Sequence, residues 1–212
     1  AKSTLQAESD AIIKAIDFLN NDFLESVHAI FNTQGRFIVT GIGKSAHIGQ
    51  KIVATLNSTG TPSLFMHAAE AVHGDLGMVT KDDVILCISK SGNSPEIKVL
   101  APLLKRDGNI LIGMTANKES FLGKKSDFVI NAYVEKEADP NNLAPTTSTT
   151  VQLALGDALA VSLIEMRNFT ANDFAKYHPG GALGKKLLLR IENILDDKNK
   201  PTVTISSRIQ EV

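Results

Sequence analysis

Residues 36–49 read RFIVTGIGKSAHIG, in which a short apolar run is followed by two glycines, a lysine and a serine. This order is typical of a buried strand that turns sharply into a helix. The free N–H groups at the start of such a helix bind phosphate, and glycines let the backbone approach it. The stretch therefore predicts a strand, a phosphate-binding turn and a helix.

Two common phosphate loops fit this turn poorly. GIGKSA matches the dinucleotide pattern G-x-G-x-x-A, but such a site also needs an acidic residue at the end of the second strand. That strand ends in His67, with no Asp or Glu at its tip. A Walker loop would need glycine at position 38, which is Ile38. Neither a nicotinamide nor a nucleoside triphosphate is well supported.

Five short apolar runs predict the strands of one sheet, because their apolar positions are consecutive, as in strands buried on both faces. Helical patterns separate most of the runs, which indicates a parallel sheet with helices on both faces. The expected fold is α/β, a three-layer α-β-α sandwich. A leading helix is expected over residues 3–31, and further helices over about 45–58, 94–107, 118–125, 151–167 and 170–176. The strand runs are RFIVT (36–40), PSLFMH (62–67), DVILCIS (83–89), NILIGMT (109–115) and DFVINA (127–132).

Composition excludes several classes of protein. The 212 residues carry 22 basic and 23 acidic side chains, a net charge of −1 that predicts neither nucleic-acid binding nor a polybasic membrane surface. The chain has no Trp, so stacking platforms for single-stranded nucleic acid are not expected. The single Cys87 lies in an apolar run and is expected to be a buried core thiol. No 18-residue apolar stretch and no signal-peptide pattern is seen, which favours a cytoplasmic protein.

A second phosphate-binding turn is predicted in ISKSGNSPEI, residues 88–97. Ser89, Ser91 and Ser94 place three hydroxyls around Gly92 where a strand ends. Ser94 is a good N-cap and Pro95 suits the first helical position, so a helix N-terminus should face these hydroxyls. The alternative is an ordinary capped turn. A third hydroxyl cluster, TTSTT at 146–150, precedes the next long helix and could join the same pocket.

Ionisable side chains near these loops are candidates for chemistry, although each has a plain alternative. Lys44 could contact substrate or only face solvent, and Glu96 could be a base or only a partner of the helix dipole. The histidines could titrate, bind metal or be structural. The candidates are Lys44, His67, Glu70, His73, Asp75, Glu96, Glu137 and His178.

A phosphate site beside carboxylates, imidazoles and a lysine suggests proton transfer on a sugar phosphate. Aldose–ketose isomerisation needs an acid–base pair to open the ring. It also needs a base to move a proton between C1 and C2, and a donor for the enediolate oxygen. Phosphate binding away from the reacting carbons holds the chain in register. No redox cofactor is required.

Longer motifs resemble the D-arabinose 5-phosphate isomerases of the sugar isomerase (SIS) domain superfamily, over nearly all of residues 5–190. That resemblance implies a five-stranded parallel sheet of flavodoxin or Rossmann type, and interconversion of D-ribulose 5-phosphate and D-arabinose 5-phosphate. It also implies a place in the synthesis of Kdo, a lipopolysaccharide and capsule sugar, and homotetramers with active sites completed across subunits. The motifs are GIGKSAHIGQKIVATLNSTGTPSLFMHAAEAVHGDLGM, SKSGNSPEI, LAPTTSTT, LGDALAV and NFTANDFAKYHPGGALGKKLL.

The resemblance also assigns roles to residues. Matching motif positions make Lys44, Glu96, Glu137 and His178 the catalytic set, with His73 opening the ring or contacting substrate. Which of Glu96 and Glu137 is the C2 base stays open. His67 corresponds to a histidine that takes an adventitious or inhibitory zinc in relatives. The implied substrate-binding residues are Ser45, Gly60, Thr61, His67, His73, Ser89, Ser91, Ser94, Ser148 and Thr149.

The chain departs from the family pattern at three positions near this expected site. Asn93 replaces a carboxylate, Asp139 a cysteine and Asn142 a glycine. The expected organisation is an SIS domain over 1–190, with 191–212 a C-terminal tail or the start of a missing CBS regulatory region. Feedback by CMP-Kdo is a further hypothesis. The rival from another class is an SIS module that senses a sugar phosphate without turning it over.

Overall fold

The structure is a computed structural model that describes residues 1–188, 204 and 208. It divides into two compact units, Ala1–Phe169 and Thr170–Val212. The predicted boundary between residues 190 and 191 lies outside the described residues and stays a prediction.

All five predicted strands are present, each within two residues of its expected bounds, and they alternate with helices. The strands are β1 (Phe37–Gly41), β2 (Ser63–His67), β3 (Val84–Ile88), β4 (Ile110–Thr115) and β5 (Phe128–Asn131). The helices are α1 (Lys2–Ile16), α2 (Asn21–Asn32), α3 (Lys44–Ser58), α4 (Ala68–Ala71), α5 (Pro95–Lys105), α6 (Phe121–Lys125), α7 (Thr147–Met166), α8 (Ala171–Tyr177) and α9 (Ala182–Leu188).

The strands form one parallel sheet in the order β2-β1-β3-β4-β5. The predicted fold class is therefore confirmed. In a sheet of this order the connections from β1 and β3 leave in opposite directions, so a crevice opens between their carboxyl ends. That crevice is the point where ligands bind in such folds.

Two apolar clusters cover the two faces of the sheet and make the three layers. One face of β1 and β3, including Val39 and Leu86, packs with α1, α2, α3 and α7. The other face, including Ile38 and Cys87, packs with α4, α5 and α6. Consecutive apolar residues therefore mark burial on both sides, as the strand patterns indicated. Cys87 is fully buried, and burial raises the pKa of its thiol to about 12, which suits a core residue.

The predicted single helix over residues 3–31 is wrong, because the chain breaks it between α1 and α2. Asn20 adopts an extended backbone, and its side chain accepts hydrogen bonds from the N–H groups of Asp22 and Phe23. An Asn side chain that caps a helix start competes with helix continuation. The apolar stripe runs through both helices, so its spacing alone did not reveal the break.

Helix α7 begins four residues earlier than expected, so most of the TTSTT hydroxyls lie in its first turn instead of before it. Among the described residues, α7 is the one helix long and apolar enough to cross a membrane. Half of its most apolar window is buried, and it packs with α1, α2 and α3. These contacts are those of a core helix.

Candidate active site

The turn after β1 brings a lysine to the carboxyl edge of the sheet. Gly41 ends the strand, where a Cβ atom would lie 3.2 Å from the backbone of Ser45. Gly43 takes a positive φ of 59° and leads directly into α3. The two glycines thus let the first turn of α3 fold back over the strand end. Lys44, the first residue of that helix, is exposed, and its ammonium has no hydrogen bond or ion pair with the described residues.

The turn after β3 presents the three predicted serines. The Ser89 Oγ accepts from the N–H of Gly92, and the Ser91 Oγ accepts from the N–H of Asn93, each at 3.2 Å. Ser94 is the N-cap of α5 but makes no capping bond, and its buried Oγ has no hydrogen-bond partner among the described residues. A buried hydroxyl without a partner is costly unless a ligand or water satisfies it.

These turns and the start of α7 enclose a cavity of about 240 Å³ at the crevice between β1 and β3. Seven predicted site residues line it together: Lys44, Ser45, Ser89, Ser91, Ser94, Ser148 and Thr149. Five further lining residues were not predicted: Ile42, Ile88, Lys90, Pro145 and Gln152. A cluster of hydroxyls, two lysines and a helix N-terminus is suited to a phosphate monoester.

Glu137 lies behind this cavity and joins two of its walls. The residue is 3% exposed. Its Oε1 atom accepts from the Lys90 ammonium at 2.6 Å and from the Ser148 hydroxyl at 2.5 Å. The Oε2 atom accepts from the backbone N–H groups of Thr146 and Ser148, at 2.9 and 3.0 Å. The carboxylate thereby ties the end of β3 to the N-terminus of α7.

The contacts of Glu137 hold its carboxylate in the ionised form. Burial raises its pKa, but the bonds from Lys90, Ser148 and Thr146 outweigh burial and bring the pKa from its ordinary 4.5 to about 2. The Thr146 and Ser148 amides belong to the start of α7, where a negative charge is favoured. The anion at this helix terminus is thus a side chain of the protein itself.

Lys90 and Gln152 are the polar cavity-lining residues that sequence reasoning missed. Lys90 stands between Ser89 and Ser91, so its place in the predicted turn was a usable signal. Gln152 is 1% exposed, and its Oε1 accepts from the Ser45 hydroxyl at 3.2 Å. Gln152 lies on the second turn of α7, between apolar residues. Nothing in the sequence pattern of that helix distinguished it from a solvent-facing residue.

Other predicted residues do not line this cavity. Gly60 and Thr61 precede the amino end of β2, at the opposite edge of the sheet, where Arg167 donates to the Thr61 hydroxyl at 3.1 Å. His67 ends β2, and its Nδ1 accepts from the Ala69 N–H at 3.3 Å. His73 is exposed in the turn that follows α4.

Glu96 also lies outside the cavity lining, and His178 is described within its own compact unit. Glu96 occupies the first turn of α5, half-buried and without a partner among the described residues. His178 belongs to the second unit, at the end of α8. Its ring stacks on Phe174 and its Nδ1 donates to the Phe174 carbonyl at 2.9 Å. That bond leaves Nε2 with its lone pair in the neutral ring.

The three departures from the family pattern have structural explanations. The Asn93 side chain accepts from the N–H of Phe121 and so fixes the start of α6. Asp139 accepts from the N–H groups of Leu143 and Ala144 within its own loop. Asn142 has a positive φ of 56°, the conformation that glycine takes most readily, and its Oδ1 accepts from the Glu137 N–H at 2.7 Å.

Within the part of the chain that the structure describes, no group of three or more His, Cys, Asp or Glu side chains is placed to hold a metal ion. Because the Nδ1 of His67 already accepts a hydrogen bond, only its Nε2 is available as a ligand. A zinc ion at His67 would therefore need ligands from elsewhere. The expectation of an adventitious zinc stays a prediction.

Curated relatives cover most of this chain. The arabinose 5-phosphate isomerase KdsD of Pseudomonas aeruginosa is 53% identical over 195 residues, which are 92% of this chain and 60% of that protein. The arabinose 5-phosphate isomerase KdsD of Yersinia pestis is 50% identical over 211 residues, 99% of this chain and 64% of the relative. The chain thus spans less than two thirds of the length of these relatives.

A solved structure and a family match agree with these relatives. The structure of an Escherichia coli CFT073 protein in complex with arabinose 5-phosphate has a TM-score of 0.81 and 44% identity, and the match covers 84% of this chain and 95% of that one. Residues 30–162 match the SIS domain, and this span contains the whole sheet and most of α7. The chain belongs to the SIS domain family.

Proposed function

We propose that this chain interconverts D-ribulose 5-phosphate and D-arabinose 5-phosphate through an enediol intermediate. The observation that carries the proposal is the hydroxyl-lined cavity between β1 and β3. Its wall holds Lys44 and the Ser94 hydroxyl, which has no hydrogen-bond partner in the part of the chain that the structure describes. Two relatives bear the name of this isomerase, and a related structure holds arabinose 5-phosphate. These similarities support the pentose phosphate as the substrate.

The phosphate group of the substrate would bind at the turn after β3. The three serines there and the N-terminus of α5 supply hydroxyl and backbone donors. Ser94 would gain a hydrogen bond there, since its Oγ has no partner among the described residues. The sugar would then extend toward Lys44 and the first turn of α7, with its reacting carbons held in register by the bound phosphate.

We assign proton transfer between C1 and C2 to Glu137. The support is its position: the carboxylate bonds Lys90 and Ser148, both of which line the cavity, and the substrate would have to displace one of these donors before the carboxylate takes a proton. Glu96 contacts no cavity-lining side chain through a hydrogen bond, and we assign it an auxiliary electrostatic role in the first turn of α5. Lys44 is the donor that would stabilise the enediolate oxygen.

Several predicted residues need a second subunit if they are to act. Gly60 and Thr61 lie at the other edge of the sheet, so a substrate contact from them must go to a neighbouring site. The exposed apolar side chains of α1 are suited to subunit contact; they include Leu5, Ile13 and Ile16. We infer a homotetramer with shared active sites, in which His73 contacts substrate and His178 completes the acid–base set.

The wider role follows from the product. D-Arabinose 5-phosphate feeds Kdo synthesis, so we place the protein in the cytoplasm with a role in lipopolysaccharide or capsule formation. The enediol route uses no cofactor, and zinc at His67 would inhibit. Feedback by CMP-Kdo is proposed as well, and a CMP-Kdo titration that leaves the isomerase rate unchanged would refute it.

The alternative function is a non-catalytic module that senses a sugar phosphate. Incubation of the purified chain with C1-labelled D-arabinose 5-phosphate, followed by carbon NMR, tests the choice. We expect the ribulose 5-phosphate signal to grow until its ratio to the D-arabinose 5-phosphate signal is constant. Ribose 5-phosphate and glucose 6-phosphate serve as comparison substrates. Binding of D-arabinose 5-phosphate without conversion would favour the sensor.

A further inference from the structure

Lys90 is the lining residue whose ammonium pairs with a buried carboxylate. Its backbone is fixed at the carboxyl end of β3, since its carbonyl accepts from the Ala116 N–H and the Thr115 hydroxyl at 3.0 and 3.1 Å. Its side chain is 43% exposed, whereas that of Glu137 is 1% exposed. The lysine therefore reaches from the cavity wall to a buried charge.

We propose that Lys90 makes this cavity able to accept a phosphate dianion by cancelling the charge of Glu137. The inference rests on the proposed function for the nature of the ligand, a phosphate monoester. Lys90 acts on the bound anion through Glu137, by neutralising the charge of that carboxylate. It is not required to touch the phosphate.

The charge of Glu137 lies close to the cavity, because Ser148 both bonds the carboxylate and lines the cavity. The Ser148 hydroxyl lies 2.5 Å from Oε1, and the same residue lines the cavity. A buried charge is screened far less than an exposed one, so its effect extends over several ångströms. Without a partner, this carboxylate would repel an incoming dianion.

The charges around the cavity depend on this pairing. Lys44 and Lys90 line it, and Glu137 bonds directly to two of its lining residues. Because the charges of Lys90 and Glu137 cancel, the charge of Lys44 makes the cavity positive overall. Removing only the Lys90 charge lets Glu137 cancel Lys44, and the preference for an anion is lost. Removing both charges of the pair restores the original balance.

If Lys90 acts by neutralising the charge of Glu137, its removal has a different outcome from the removal of a lysine that contacts the phosphate directly. If Lys90 only neutralises Glu137, the double variant Lys90→Met with Glu137→Gln binds phosphate as the wild type does. If Lys90 instead grips the phosphate, the double variant is as weak as Lys90→Met alone. If the pair only joins β3 to α7, phosphate affinity does not follow the charge at all.

The experiment is isothermal titration of inorganic phosphate, then of D-arabinose 5-phosphate, into five proteins with folding checked by circular dichroism. They are the wild type, Lys90→Met, Glu137→Gln, the double variant and Lys51→Met. The last is a matched control, because Lys51 pairs with Asp157 between α3 and α7 and does not line the cavity. We expect Lys90→Met to weaken binding about tenfold or more, and the double variant and the control to stay within about threefold of wild type.

A double variant as weak as Lys90→Met, or a Lys90→Met variant that binds like wild type, overturns the inference. If Lys90→Met does not fold because Glu137 is left unpaired, two other comparisons decide. Glu137→Gln should bind phosphate about tenfold more tightly than the double variant, and Lys90→Arg should bind like wild type. Equal affinity of Glu137→Gln and the double variant contradicts the inference.

These affinities need no turnover, so the inference and the proposed reaction can fail separately. A chain that shows the expected order of affinities but converts no D-arabinose 5-phosphate keeps the inference and loses the reaction. A chain that converts the sugar while Lys90→Met binds phosphate normally keeps the reaction and loses the inference. Failure to bind either phosphate compound contradicts both.

Discussion

The Oε1 atom of Glu137 lies 2.6 Å from the Nζ atom of Lys90, and this contact joins the carboxyl end of β3 to the loop that precedes α7. The carboxylate is buried and receives hydrogen bonds on both oxygens. A pair placed in this way affects the stability of the fold and the electrostatics of the cavity together.

Acid should destabilise the protein through Glu137. Its pKa is depressed in the fold, from 4.5 to about 2, so its stabilisation is complete above about pH 4.5 and is lost as the pH falls toward about 2. The total is about 3 kcal/mol. Urea unfolding at pH 6, 4 and 3 measures it. We expect Glu137→Gln to lose this part of the pH dependence, and an unchanged slope in that variant would contradict the account.

Removing Lys90 should raise the pKa of Glu137, because the bond from its ammonium lowers this pKa more than any other hydrogen bond to the carboxylate does. In Lys90→Met, the stability lost below about pH 4.5 should therefore be smaller than in the wild type, and the loss should level off at a higher pH. The Lys51→Met variant serves as the control, since its lysine pairs with exposed Asp157. Superimposable acid-unfolding curves for Lys90→Met and Lys51→Met would show that the pairing does not set this pKa.

Gly92 should not tolerate a side chain. Its φ is +63°, and a Cβ atom would lie 2.1 Å from the Ser120 hydroxyl and 2.9 Å from that of Thr115. We expect Gly92→Ala to lower the free energy of unfolding by about 2 kcal/mol or more, from strain and from the contact with α6. Gly108→Ala is the matched control, because Gly108 has a φ of +87° and an added Cβ atom would meet no atom of the described residues beyond its chain neighbours within 4 Å. It should lose only the strain, about 1 kcal/mol. Equal losses in the two variants would show that the contact is unimportant.

Asn142 should be replaceable by glycine more easily than by alanine. Glycine accepts the positive φ but loses the bond to the Glu137 N–H, whereas alanine loses the bond and adds strain. Thermal unfolding should place Asn142→Gly between the wild type and Asn142→Ala, with alanine costing about 1–2 kcal/mol. An alanine variant as stable as the glycine variant would contradict this explanation of the departure.

Sequence reasoning predicted the sheet well because burial on both faces gives continuous apolar runs, such as that of β3. It predicted seven cavity-lining residues because serines and glycines at strand ends indicate phosphate-binding helix starts, and because the family resemblance added Ser45. It failed between α1 and α2, because the apolar stripe runs through both helices and hides the break that Asn20 makes by capping α2. It missed Lys90 because its partner Glu137 lies 47 positions away, and only the fold brings the two together.

Proton transfer during isomerisation tests the central claim most directly. D-Arabinose 5-phosphate would be incubated with wild type, Glu137→Gln and Glu96→Gln in D2O and followed by proton NMR. We predict that the wild type forms ribulose 5-phosphate with deuterium at the carbons that exchange through the enediol. Glu137→Gln should lose this exchange by about 100-fold or more, and Glu96→Gln should slow it less. Full exchange in Glu137→Gln would contradict the assignment of the base, and binding without exchange in the wild type would contradict the isomerase itself.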